Sequence, residues 1–207
     1  SSSNDTPHFG TDSIKVKLNE KSWQRCQQLL AAAEAMQVSS QQTENGSQLV
    51  DCGIHSSGSL LAGVALAEIC LAGLGTVTLE SADPELWGGE AVTVVTDEPI
   101  WACMAAQYAG WKISVDDYFA MGSGPMRAAW AGEELFKELN YQEQANRIVG
   151  VLETRELPTP AVCNQIAQDC RVQASDLTLL VAPTASLAGP VQVVSRSLET
   201  ALHKMHV

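Results

Sequence analysis

Positive charge is scarce in this chain: 12 lysines and arginines stand against 24 aspartates and glutamates, a formal net charge of −12 over 207 residues. A nucleic-acid partner demands a basic surface that displaces phosphate counterions, so none is expected. Long apolar runs are missing too. No stretch of about 18 uncharged apolar residues occurs, and residues 1–12 are polar without a signal-peptide core, which predicts a soluble cytoplasmic protein without a membrane partner. The six cysteines, at 26, 52, 70, 103, 163 and 170, form no Cys-x-x-Cys pair, and no His-Glu-x-x-His is present. The common zinc patterns are therefore absent and no metal site is expected. Cys52, Cys70 and Cys103 lie among apolar neighbours and read as inert buried thiols, which suits a reducing compartment. His55, His203 and His206 are isolated and read as structural or surface residues. Neither internal repeats nor low-complexity blocks occur.

What is present is an alternation of helix and strand signals. Residues 1–13 form a polar tail with too little apolar content to order itself. A helix is predicted from Asn19, with Asn19 as its cap, Leu18 and Trp23 as a hydrophobic staple, and Trp23, Cys26, Leu30, Ala33 and Met36 or Gln37 on one face. Residues 38–52 read as a hairpin turning at Glu44-Asn45-Gly46, where Asn-Gly tolerates positive φ. Residues 57–72 are apolar nearly all round and predict a buried helix ending at Gly73. Strands over 76–80 and 91–96, a helix over 97–109 and a strand over 111–115 follow. Beyond them come a helix from 127 to 139 broken near Gly132, a strand at 148–152, a helix at 158–170, a strand at 177–182 and a helix at 189–205. This order predicts an α/β fold of two packed layers or domains with a cleft between them, incomplete at the C-terminus. The first domain spans 14–116 and the second 117–207, with no flexible linker marking the join.

Two turns and one residue pair carry possible chemistry. At Ala182-Pro183-Thr184-Ala185-Ser186-Leu187-Ala188-Gly189-Pro190 a strand gives way to a helix, leaving first-turn N–H groups beside the Thr184 and Ser186 hydroxyls. Such a place attracts anions or polar ring edges, though an ordinary strand-to-helix turn has the same composition. Arg196 and Glu199, three residues apart, share a helix face, ringed by Val191, Val193, Val194, Leu198 and Leu202. One reading is a solvated ion pair; the other is a carboxylate whose proton affinity is set by a neighbouring cation and by burial, hence a general base. In Gly122-Ser123-Gly124-Pro125 a bend free of β-carbon clashes would admit a ligand, and Arg127 beyond it would meet a carboxylate or phosphate, or else form a surface or intersubunit ion pair. That loop lacks the Walker lysine and the dinucleotide spacing, so nucleotide binding is not expected. Glu153, at a strand end, either points into a cleft or is a solvated loop residue.

Several ordered motifs together resemble the methenyl-tetrahydromethanopterin cyclohydrolase family from about Lys17 onward: Val50-Asp51-Cys52-Gly53, Gln107-Tyr108-Ala109-Gly110-Trp111, Phe119-Ala120, Val151-Leu152-Glu153, and the run from Val181 to Thr200 that contains Arg196 and Glu199. Met126 and Pro190 depart from the pattern, standing where small residues are usual. The resemblance implies a one-carbon enzyme, a homotrimer, that hydrolyses the cationic methenyl bridge of a pterin substrate to a formyl group without metal or cofactor. Arg196 and Glu199 are then catalytic, and Gly122, Ser123, Gly124, Arg127, Glu153, Thr184 and Ser186 line the substrate. Members of the family run roughly a further domain, on the order of 100 residues, past the position of Val207. Two other readings stay open: a non-catalytic pterin-binding or assembly protein, and a cyclohydrolase acting on the folate analogue of the same bridge.

Overall fold

A computed structural model describes residues 17–81, 90–98, 101–102, 110–138 and 141–186. Its centre is a six-stranded mixed sheet in the order β1-β2-β8-β7-β6-β5, formed by Ser39–Gln42 (β1), Gln48–Asp51 (β2), Trp111–Val115 (β5), Tyr118–Ser123 (β6), Ile148–Glu153 (β7) and Leu177–Ala182 (β8). The three middle strands are parallel: Asp51 of β2 lies opposite Val181, and Glu153 of β7 opposite Ala182. Outside them β1, β6 and β5 run antiparallel to their neighbours. Gly75–Ser81 (β3) and Glu90–Thr96 (β4) make a separate hairpin. The α/β architecture agrees with the alternation in the sequence.

Side-chain alternation sends each central strand's residues to two different cores. Val149, Val151, Leu180 and Ala182 join Cys26, Leu29, Leu66 and Ile69 on one face, under the helices Leu18–Ala31 (α1) and Leu60–Cys70 (α3). A short helix, Ala33–Met36 (α2), follows α1. Ile148, Leu152, Leu179 and Val181 point the other way, onto Val162, Cys163 and Ile166 of Pro160–Cys170 (α6). Between β6 and β7 lie Met126–Trp130 (α4) and Glu134–Glu138 (α5), separated near Gly132 as the sequence indicated. Ser59 caps α3 and Thr159 caps α6, each hydroxyl accepting from the N–H three residues on. The hairpin of β3 and β4 packs Val77, Val92 and Val94 against the α3 side.

Three local readings change. Asn19 does not cap α1: it is buried in the helix's first turn, where its side chain accepts from the Val149 N–H (2.9 Å) and donates to the Pro125 carbonyl (3.0 Å) and the Glu143 carboxylate (2.9 Å). Tertiary partners at those distances outbid the local capping bond. The stretch before the glycine bend, given no element in the sequence reading, contains a strand, β6, which pairs with β5 across the two-residue turn Asp116-Asp117, with Asp116 at φ 52°. The domain join read near Asp116 therefore falls inside a hairpin of one sheet. The tail at 1–13, the helix at 189–205, Cys103 and most of the 97–109 helix lie outside the described residues. Cys26, Cys52, Cys70, Cys163 and Cys170 are buried as reduced thiols, and burial pushes Cys26 and Cys170 up to about 12. Among the described residues no helix is long and apolar enough to cross a membrane.

Buried polar contacts tie these layers together. The backbone N–H of Asn19 also donates to Glu143 (3.1 Å), while the Ser22 hydroxyl donates to the Ile69 carbonyl (2.8 Å), fastening α1 to α3. Arg127 is wholly buried; its Nε donates to Glu133 (2.6 Å), a second guanidinium nitrogen pairs with the other Glu133 oxygen, and the guanidinium lies over the Phe136 ring. Because a buried pair loses its compensation when one partner is changed, Glu133→Gln is expected to destabilise by about 3 kcal/mol in denaturant unfolding; a surface pair would cost under about 1 kcal/mol. Glu143 gives a pH-dependent case. Burial raises its carboxyl above the ordinary range, and the Asn19 and Leu18 donors only partly offset this. The folded state then holds this proton more tightly than the unfolded one, so its stabilisation is full below about pH 4 and is lost as pH rises through the folded value. Glu143→Ala should cost about 1–3 kcal/mol at pH 4, by stranding the Asn19 donors, and the gap from wild type should narrow toward neutrality.

Candidate active site

β2 leads into α3 on one face of the sheet and β7 leads into α6 on the opposite face, with β8 between them. The connections diverge from the carboxyl ends of β2, β8 and β7, and in α/β sheets the crevice at such a divergence is the usual ligand position. At its β2 end Asp51, only 4% exposed, gathers four backbone donors: Oδ1 accepts from Gly53 (2.9 Å) and Ile54 (2.7 Å), and Oδ2 from His55 (2.8 Å) and Ser56 (3.1 Å). Burial pushes its carboxyl up, but the four N–H groups outweigh this and hold it below the ordinary carboxylate range. The curled segment rests on the turn after β8. A β-carbon on Gly53 would stand 2.6 Å from the Ser186 β-carbon and 3.3 Å from Pro183 Cδ, and its φ of +149° also favours glycine.

That turn, at residues 183–186, closes with Ser186 N–H donating to the Pro183 carbonyl (3.0 Å), which the Ser186 hydroxyl reaches as well (2.9 Å). Thr184 is exposed and its hydroxyl donates to the Glu153 carboxylate at the end of β7. Next to it the Thr154 hydroxyl donates to the Phe119 carbonyl (2.8 Å), and the Phe119 ring is 55% exposed. The structure therefore brings together Glu153, Thr184 and Ser186, with Asp51 as an organiser. Sequence reasoning gave Asp51 no role, although an aspartate two residues before a glycine is a known pattern for carboxylate-to-backbone turns.

The glycine loop lies elsewhere. Ser123 pairs with Val151, two positions short of Glu153, and the chain moves away from the crevice from there. Ser123 and Arg127 are fully buried, the first beside Cys70 and the Val151 carbonyl, the second on Glu133. The space over Gly122 is filled from within: a β-carbon there would stand 2.5 Å from Met126 Cε, and one on Gly150 only 2.1 Å from Met126 Sδ. Gly124, at φ +84°, supplies the bend. Gly122, Ser123, Gly124 and Arg127 thus lie inward of the strand ends that carry Glu153 and Thr184, and Met126 fills the space over Gly122. Arg196 and Glu199 lie outside the described residues. Among the described residues no group of three or more His, Cys, Asp or Glu side chains is placed to hold a metal ion.

Comparison with known proteins completes the picture. Similar proteins include the methenyltetrahydromethanopterin cyclohydrolases of Methanococcoides burtonii (39% identical, covering 92% of this chain and 60% of the relative), Xanthobacter autotrophicus (44%, 86% and 53%) and Rhodopirellula baltica (47%, 78% and 49%). The chain spans between about half and three fifths of the length of these relatives. Residues 17–207 match the family described as Cyclohydrolase (MCH), and the chain belongs to that family.

Proposed function

We propose that the protein to which this chain belongs hydrolyses the methenyl bridge of methenyl-tetrahydromethanopterin to the formyl derivative. The observation that carries this is the family match over 17–207, which includes Arg196 and Glu199 ten and thirteen positions after the turn at the sheet's carboxyl edge. The activity for which the relatives are named supplies the reaction class. The methenyl carbon, held between two nitrogens that share a positive charge, is already electrophilic. Water therefore needs only to lose a proton as it attacks, and Glu199 is the general base that takes it. Arg196 orients that carboxylate and favours its ionised form. The tetrahedral adduct collapses when Glu199 returns the proton to the departing nitrogen; that C–N bond breaks, the adduct's hydroxyl loses its proton to water, and the carbon stays on the other nitrogen as formyl. Glu153, Thr184 and Ser186 supply polar contacts to the substrate from the crevice.

The same resemblance supports a homotrimer working in the cytoplasm, which sedimentation of the full-length protein and fractionation of its cells would check. No metal or cofactor is called for, since the substrate's own charge does the work that a Lewis acid would otherwise do. Turnover should survive exhaustive chelation; loss of activity restored by one particular metal would overturn the mechanism.

The decisive variant is Glu199→Gln, which keeps the side chain's size and removes the proton acceptor. In the full-length protein kcat should drop by about 10² to 10⁴ while the fold and most of the substrate affinity persist. Arg196→Ala should also slow turnover and move the pH profile. Following the absorbance of the methenyl substrate separates turnover from mere binding, and near-wild-type kcat in Glu199→Gln would sink the assignment.

A further inference from the structure

We infer that Asp51 is a positioning residue for this site: by curling residues 53–56 around its carboxylate it presses Gly53 onto residues 183–186, and so sets Thr184 against Glu153. The inference rests on the proposed function for the role of Thr184 and Glu153, but its geometry is independent of it. Each link is a contact. Four N–H groups converge on the two Asp51 oxygens at 2.7 to 3.1 Å, which leaves the backbone from 53 to 56 a single arrangement. The Cys52 N–H also donates to the Val181 carbonyl (2.8 Å), extending the β2–β8 ladder up to the curl. Gly53 then approaches Ser186 and Pro183 more closely than any side chain would allow. At the far side of the same turn Thr184 donates to Glu153. The contacts thus run across the ends of β2, β8 and β7 in spatial order, and the first of them is charged and 4% exposed. A bond from an ionised carboxylate to backbone N–H groups is among the stronger ones available, so this end holds and the exposed end is held. Backbone bonds hold β8 only as far as Ala182, whose carbonyl accepts from the Thr154 N–H (3.4 Å), and residues 183–186 lie beyond them.

Asp51→Asn tests the inference. It keeps one oxygen for Gly53 and Ile54 and turns an amide NH₂ toward the N–H groups of His55 and Ser56. In the full-length protein, well below its melting point, amide exchange should quicken by about 10-fold or more at 53–56 and equally at Ser186, whose N–H closes the turn. KM for the methenyl substrate should rise by about 10-fold with a smaller change in kcat. Combined with Thr184→Val it should do no more harm than the worse single change. Should Asp51→Asn fail to fold, Gly53→Ala disturbs the same contact from the other side and should give the same exchange and KM effects. Faster exchange confined to 53–56, with Ser186 unchanged, would overturn the positioning role. So would a wild-type KM in a variant where Thr184→Val alone raises it. Wild-type kinetics in Thr184→Val, with Ser186 exchange still quickened by Asp51→Asn, would instead remove Thr184 from the substrate and leave the positioning intact.

Discussion

All six residues of β8 are buried, so this strand has no solvent face and the rest of the structure has to cover it twice. Leu180 and Ala182 need one apolar layer, Leu179 and Val181 another, and parallel partners on both edges satisfy its backbone. Parallel neighbours cannot be joined by tight turns. Their connections must cross a face of the sheet as helices, and α3 and α6 do so on opposite sides. The crevice at the carboxyl edge is a consequence of that demand: where one connection goes up and the other down, nothing in the sheet itself fills the gap.

Most of this was legible from periodicity. The apolar run at 148–152 and the one at 177–182, interrupted only by Thr178, each bounded by turn residues, mark strands buried on two sides, and the nearly all-apolar stretch at 60–70 marks the helix α3. What was not legible depends on partners far away in sequence. Asn19 looks like a cap because caps are local, yet its partners Pro125, Glu143 and Val149 lie more than 100 residues on. The strand β6 was hidden because Gly122 and Ser123 at its end, with Gly124 just after, have the composition of a loop. Gly122 is there for lateral packing against Met126.

The site was partly legible for the same reasons. Glu153, Thr184 and Ser186 sit at strand ends, a position sequence order predicts once the strands are placed. At the glycine loop, small residues signal only that something comes close: Gly122 and Gly150 flank a methionine of this very chain. The two missing β-carbons are what accommodate the long Met126 side chain within an otherwise close-packed core.

Buried charge is distributed with a similar logic. Arg127 with Glu133 and Glu143 with Asn19 are each held among helices and sheet, where a missing partner could not be replaced by water. Asp51 differs, because its partners are four successive backbone donors of one loop and no side chain. A carboxylate paired with another side chain fixes two side chains; one paired with consecutive N–H groups fixes main chain, and with it every side chain that main chain carries or touches. At the edge of a sheet, where the ladder no longer constrains the backbone, that is the more economical way to give a loop one shape. It also explains why the nearest contact of that loop is made by a glycine: a loop already held from inside can lie flush on its neighbour, and only a residue without a β-carbon lets it.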